Sequence, residues 1–585
     1  MQYLQAKVPS AHHPTLTQAL LGALITALLL VGVLTALGYI IMRGYTGFVS
    51  KLIPPQDLQL VTQKEETPNN CASVELGTRI FFSSRDASEM QGPRPELVTS
   101  IRLGMISDVH DLLRSQSSAE NYTATNEVDS ALGMTPLEYA ASIGDQNIVM
   151  LLLLHGAEAS DSNTSTVTRR GLAPIWWALK GSSESQKGET RCQEIVRLLL
   201  EKGADHRATP DFPQPRKLKS PLLAPIHLAA KLGYAGVVGV LLEHDRNHVS
   251  SDTGSIMTIQ DSDGFSSLHH AAKQGHSPAV ELLLTKGANI ECRDKRGNTP
   301  LQIASREGNT AVVNLLLDQG ADIEAKNDDA GSTPLHCTAR YREEGVVRIL
   351  LSRGASIFAT DSSGQKPLHW AAQHGHDSVV GILLQHMHGC DAGTGRRYNI
   401  DETDKEGKTA LHLASGNGHA TVVTTLLDHG ADAKVTDNYL KTPLHYACTS
   451  PFGRKPLVEE LLDHGAEIDA KDDSFTTPLH FAVTGPLPGM RSRGDVHVVK
   501  LLLERGADFE AEDAGGKRPL HLAVPLRYLP TEDPYSKLVT KYLLRKGAMR
   551  EAKDRGGKTA MELAREGEYW EVCRILGKGS QATAA

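Results

Sequence analysis

Three groups of residues in this 585-residue chain have types and spacings that chemistry could use. His386-Met387-His388-Gly389-Cys390-Asp391 offers an H-x-H-x-C set, side chains of the kind that bind zinc. No fourth ligand stands near it, so the stretch reads as a loop without metal. Gly407-Lys408-Thr409 and Gly557-Lys558-Thr559 end as a phosphate-binding loop ends, but such a loop needs a glycine five residues earlier to turn its amides inward. Those places hold Glu402 and Ala552. Among the 25 histidines, His227, His269, His336, His369, His412, His445, His480 and His521 stand at one recurring place, which points to structure rather than catalysis. Any Ser or Cys can be matched with some His in so rich a set, and nothing positions a base or oxyanion donors beside one. No catalytic, cofactor or metal residue is assigned, and a non-enzyme without cofactor is expected.

The elements that carry these residues follow from composition. Hydrophobic residues make up 40% and charged residues 22% of the chain, as in a folded protein, while only 5% are aromatic, which favours an aliphatic, helical core. A net charge of −8 disfavours a generic nucleic-acid binder. The seven scattered cysteines contain no C-x-x-C pair, against a disulfide framework or a zinc ribbon and in favour of a reducing compartment.

Ala19–Met42 holds no charged residue. As a helix at ~1.5 Å per residue it is long enough to span a bilayer. The expected order is a short tail (1–18), a single transmembrane helix (19–42), a polar linker (43–93), the main body (94–578) and a disordered tail (579–585). Arg43 and Lys51 follow the apolar run while Lys7 precedes it, so the positive-inside bias points the body at the cytosol. Glycan at the sequons Asn121-Tyr122-Thr123 or Asn163-Thr164-Ser165 would mean the reverse orientation. A soluble or organelle-targeted adaptor is the runner-up, because the first 43 residues lack acid. A regulatory subunit of an enzyme or channel ranks lower.

A four-residue theme then recurs twelve times, from Thr135-Pro136-Leu137-Glu138 through Thr299-Pro300-Leu301-Gln302 and Thr442-Pro443-Leu444-His445 to Thr559-Ala560-Met561-Glu562. The shortest interval is 33 residues, and every longer one is an insertion. A half-copy, Leu97 to Leu113, precedes the first. The fifth unit continues through Ala304, Gly308, Val312-Val313 and Leu315-Leu316-Leu317 to Gly320-Ala321-Asp322. Thr299 suits a helix N-cap, Pro300 the first helical position and Gly308 a left-handed C-terminus, and the Val/Leu run gives a second, amphipathic helix. Neither helix can bury its apolar face alone, so units must stack.

This pattern resembles the ankyrin repeat over roughly Pro93 to Gly577. The resemblance implies an all-α solenoid of helix-turn-helix units with β-hairpin-like finger loops, a repeat histidine that hydrogen-bonds within and between units, and protein partners held on a concave surface of fingers and inner-helix positions. The fingers carry Arg293, Asp294, Lys295, Arg296, Lys326, Asn327, Asp328, Asp404, Lys405, Asp437, Asn438, Tyr439, Lys471 and Asp472; the inner helices add Lys273, Gln274, Arg306, Glu307, Gln373 and His374. Long insertions, among them Lys180–Thr190, Thr209–Pro221, Asp245–Ile259 and His386–Arg397, lengthen turns or fingers, and Arg216-Lys217 and Arg396-Arg397 form basic patches. A membrane-anchored, cytosol-facing scaffold or adaptor is the function expected, its partners proteins and not nucleic acid.

Overall fold

A computed structural model of the chain separates residues 1–91 from residues 92–585. The structure describes residues 95–577, except 116–119, 121–123, 130–132, 161–172, 183–187, 208–222, 249–254, 395–398, 451–453, 485–494 and 525–533. The expected tails, transmembrane helix and linker, both sequons and both basic patches fall outside the described residues. Among those described, no helix is long and apolar enough to cross a membrane.

Among the described residues, 26 α-helices pair into consecutive inner and outer helices. In the fifth repeat the inner helix is Pro300–Arg306 and the outer is Thr310–Asp318. Its entry is a capping box: Thr299 Oγ1 accepts from the Gln302 amide, and Gln302 Oε1 accepts from the Thr299 amide at 2.9 Å. Inner helices pack on inner helices and outer on outer, so one apolar cluster runs from Leu97 to Leu576. Alanines at the inner contact (Ala229, Ala271, Ala304, Ala371, Ala414) and outer-helix residues such as Val312, Val313 and Leu316 are completely buried. Small residues on one helix and branched ones on the other let neighbouring units approach closely and still fill the space between them.

Two expectations need correction. The stretch Leu97 to Leu113 is a complete helix pair, Pro95–Arg102 and Ile106–Arg114, because Leu97, Ile101, Val109 and Leu113 all bury against the next unit. The segment from His386 is helical, the last part of an 18-residue outer helix, Asp377–Thr394, continued inward by buried Met387. Among the described residues no group of His, Cys, Asp and Glu is placed to hold a metal.

Glycines close several inner helices in the left-handed region, and some of them also make room. A Cβ on Gly375 would lie 2.4 Å from the imidazole of His419, and one on Gly275 would lie 2.7 Å from the Asn309 amide. Those side chains reach back from the following unit. His419 Nε2 donates to the Gln373 carbonyl at 3.0 Å, His376 to Arg340 at 2.7 Å, His276 to Lys231 at 3.1 Å, and Asn309 Nδ2 to Lys273 at 2.9 Å. Each of these four units thereby satisfies a carbonyl that the end of the previous inner helix leaves open.

Candidate functional site

Most of the described fingers turn on one acidic side chain. Asp404 Oδ1 accepts from the amides of Glu406 and Lys408, both at 2.9 Å, and Asp437 Oδ1 from those of Tyr439 and Lys441, both at 2.9 Å. Asp294 and Asp472 repeat the pattern, and Asn327 fills the place with its amide oxygen. Asp294, Asp404, Asp437 and Asp472 were expected on the binding surface; all four are buried. Desolvated carboxylates must find donors, and the turn supplies them. These four aspartates and Asn327 therefore build the fingers, and the residues around them face outward.

The other oxygen of the finger aspartate holds the inner helix. Tyr446 donates its hydroxyl to Asp437 at 2.7 Å, Trp370 its indole N–H to Asp361 at 2.9 Å, and His270 Nε2 pairs with Asp261 at 2.9 Å. Burial alone raises the Asp261 pKa, but the His270 contact and the amides of Phe265 and Asp263 outweigh it and hold the group at about 2. Burial and the Asp437 carboxylate push the Tyr446 hydroxyl well above its usual range.

The repeat histidine links successive units. His412 Nδ1 accepts from the Thr409 amide at 3.1 Å, and its Nε2 donates to the Lys441 carbonyl of the next finger at 3.0 Å. His269, His336, His369, His445 and His480 do the same toward Asn298, Gln365, Lys408, Thr476 and Lys517. Burial lowers their pKa values, to about 4 for His369 and for His227, so the imidazoles are neutral. A proton on Nδ1 would oppose the amide that Nδ1 accepts from, so this arrangement is unsuited to acid–base catalysis at neutral pH. The thiols of Cys292 and Cys337 are pushed up by burial to about 11 and are inert at neutral pH.

Backbone bonds join finger to finger: the amide of Lys295 donates to Asp263, Asp328 to Arg296, Lys405 to Ser363, Asn438 to Glu406, Asp473 to Tyr439 and Arg555 to Gly515. On this ribbon Lys295, Arg296, Asp328 and Tyr439 are exposed. Other exposed finger residues also tie neighbours together: Arg293 donates to the Lys326 carbonyl, Lys326 Nζ to Thr360, Lys405 Nζ to Ser362 and Asn438 to Lys405, while Lys471 is exposed. On the inner helices Lys273 lies over the Phe265 ring at 5.5 Å, Gln274 is exposed, Arg306 pairs with Glu307 at 2.8 Å, Gln373 is half-exposed, and His374 Nδ1 bonds the Trp370 carbonyl at 2.9 Å.

Two features were missed from sequence. Lys180, Lys231 and Arg340 occupy the same inner-helix position as Lys273 and Arg306, five residues beyond the repeat's Leu or Ile; aligning the units on that residue would have found them. Leu440 and Phe475 stand where other fingers have glycine, and both adopt a left-handed backbone at φ 58°. The glycine of Gly297, Gly364 and Gly407 in neighbouring fingers was the available signal.

Ankyrin-repeat family models match residues 97–210, 226–327, 325–396, 392–472 and 476–514. That is well over half of the chain, and the protein belongs to the ankyrin-repeat family. Similar curated proteins include the ankyrin repeat, SAM and basic leucine zipper domain-containing protein 1 of Rhinolophus ferrumequinum and of Neofelis nebulosa. Each is 32% identical over 175 residues, 28% of this chain. The match covers 30% of the length of the first relative and 31% of the second. Among solved structures, the ankyrin repeat domain of Bcl-3 is 30% identical, with a TM-score of 0.34 over 42% of this chain and 100% of that one. The human ASB11 ankyrin repeat domain is 26% identical, with a TM-score of 0.35 over 42% of this chain and 99% of that one.

Proposed function

We propose that this protein is a scaffold or adaptor that recognises partner proteins through the concave surface formed by its fingers and inner helices, without catalysis of its own. The observation that carries the reading is the division of labour in each unit. Buried Asp, His and Ala positions are committed to holding the array, while the exposed positions between them vary on a fixed frame. A frame whose carbonyls and amides are already paired loses little conformational entropy when a partner docks. The apolar run Ala19–Met42 supports membrane anchoring, and the charges flanking it support a cytosol-facing array.

Proximity labelling from the full chain tests the scaffold reading. Exchanging the exposed finger residues Tyr439 and Lys471 for Ser and Glu should remove a subset of labelled proteins; a labelled set indifferent to every exposed concave substitution would defeat it. Anchoring has its own tests: carbonate extraction should leave the full chain with membranes and release a chain lacking residues 1–43. Glycan on Asn121 or Asn163 would overturn the orientation.

A further inference from the structure

Five successive inner helices carry a cation at the same position: Lys180, Lys231, Lys273, Arg306 and Arg340. Those helices pack side by side in order, so the cations form a ladder across the array. Lys180, Lys231 and Arg340 are exposed, and Lys273 and Arg306 are partly so. Arg306 pairs with Glu307, the only carboxylate at this position or the next in the five helices. Among the described residues, Lys231, Lys273 and Arg340 form no ion pair with any carboxylate. The ladder stops sharply: the following units have Gln373, Gly416, Thr449 and Thr484 there.

Two details distinguish this ladder from an ordinary solvated face. The backbone beneath three of the rungs is pinned, since the carbonyls of Lys231, Lys273 and Arg340 accept from His276, Asn309 and His376 of the following units. Rings steer three rungs as well: Lys180 lies 5.1 Å from the Trp176 ring centre, Lys273 5.5 Å from Phe265 and Arg340 5.4 Å from Trp370.

We infer that this ladder binds an acidic, extended segment of a partner protein laid across the inner helices, an inference that rests on the scaffold reading and adds the chemistry of one partner. Neighbouring packed helices lie about 8–10 Å apart, and an extended segment in the polyproline II conformation advances about 3.1 Å per residue with three residues per turn, so every third side chain returns to the same face about 9 Å further on. One carboxylate in every three residues therefore meets one rung, and about thirteen residues span all five. A single-stranded nucleic acid fits less well. The Trp370 ring is buried beneath Arg340 and so presents no face on which a base could stack, and the chain as a whole carries −8.

The test uses the full chain and a fluorescein-labelled peptide of about sixteen residues with glutamate at every third position, enough for six rungs. Its glutamine counterpart and an oligouridine of similar length serve as comparisons. The glutamate peptide should bind, weaken between about 50 and 200 mM salt, and lose roughly tenfold or more in affinity in the Lys231→Glu/Lys273→Glu double variant. Both substitutions sit at solvent-facing helix positions, and a matching thermal melt confirms the fold. Gln373→Lys adds a sixth rung and should tighten binding, a gain that a misfolded variant cannot mimic. Equal binding of the two peptides, indifference to charge reversal, or tighter binding of oligouridine would each overturn the ladder. Those outcomes leave the scaffold reading intact, because it is judged by the labelling experiment alone.

Discussion

Residues 174–352 and 367–504 share one architecture and present different surfaces. The first stretch lines its inner helices with the cation ladder and gives finger turns such as those of Gly264 and Gly297 a glycine; the second has uncharged rungs, keeps a glycine at Gly407, and has Leu440 and Phe475 at that turn position in its next two fingers, with Tyr439 beside Leu440. Tyr439, Leu440 and Phe475 are 54%, 51% and 56% exposed. A left-handed backbone costs a branched or bulky residue about 1–2 kcal/mol. That cost is borne where the side chains face solvent, so packing in this chain does not explain it. The contrast shows that the buried positions fix the frame independently of the surface, which leaves each stretch free to take a different kind of partner.

Acid gives the largest expected separation between them. A buried neutral His has a lowered pKa in the folded state, so the unfolded chain binds more protons between the two pKa values. Stability is then full above about 6.5 and falls as pH drops toward about 4, by about 3 kcal/mol at His227 and again at His369. The second stretch has a His in all four units (His369, His412, His445, His480), whereas the first has Trp176 and Gln302 in two of its five. Hydrogen exchange at pH 4.5, corrected for intrinsic rates, should show 367–504 opening first, and Gln302→His should narrow the gap. Simultaneous opening in the unmodified chain would break the comparison.

Core truncation comes next. Leu316 is completely buried in the first stretch and Leu427 nearly so in the second, and Ala at either should cost about 2–5 kcal/mol in a urea melt, with loss of protection starting in adjacent units. A smaller effect of opposite sign separates the finger turns. Leu440→Gly or Phe475→Gly should stabilise by up to about 1 kcal/mol, relief of strain being partly offset by the entropy of glycine. Gly297→Leu should destabilise, because its Cβ would lie 2.3 Å from the Asp328 carboxyl group. The least change is expected at two matched surface pairs, Arg353–Asp318 and Arg505–Asp463, each at 2.7 Å and partly exposed. Arg→Ala at either should shift stability by no more than about 1 kcal/mol, a difference that added salt erases.

Much of this frame was legible in sequence because each repeated residue has a local job. Thr299, Pro300 and Gln302 specify a helix start through bonds spanning three residues, and Gly308 an ending that few other residues tolerate. What was misread depends on neighbours. Asp404 and Lys405 are adjacent and both polar, yet one closes the turn from inside and the other reaches Ser362 of the preceding finger. Polarity alone does not sort them. The helical state of the stretch from His386 depends on the preceding turns of Asp377–Thr394 and on the burial of Met387, which its own composition conceals. The ladder was obscured by reading units singly: Lys231 is unremarkable until set beside Lys180 and Lys273.

The donor that four units extend to the one before them, such as His419 into Gln373 and His276 into Lys231, has a bearing on how such a chain can change length. A duplicated stretch arrives with both its plug and its socket, so a copy inserted between two existing repeats needs no newly evolved joint. Growth and recombination of the array are thereby mechanically permitted at any internal joint of this kind, and selection can act on what the added rung displays.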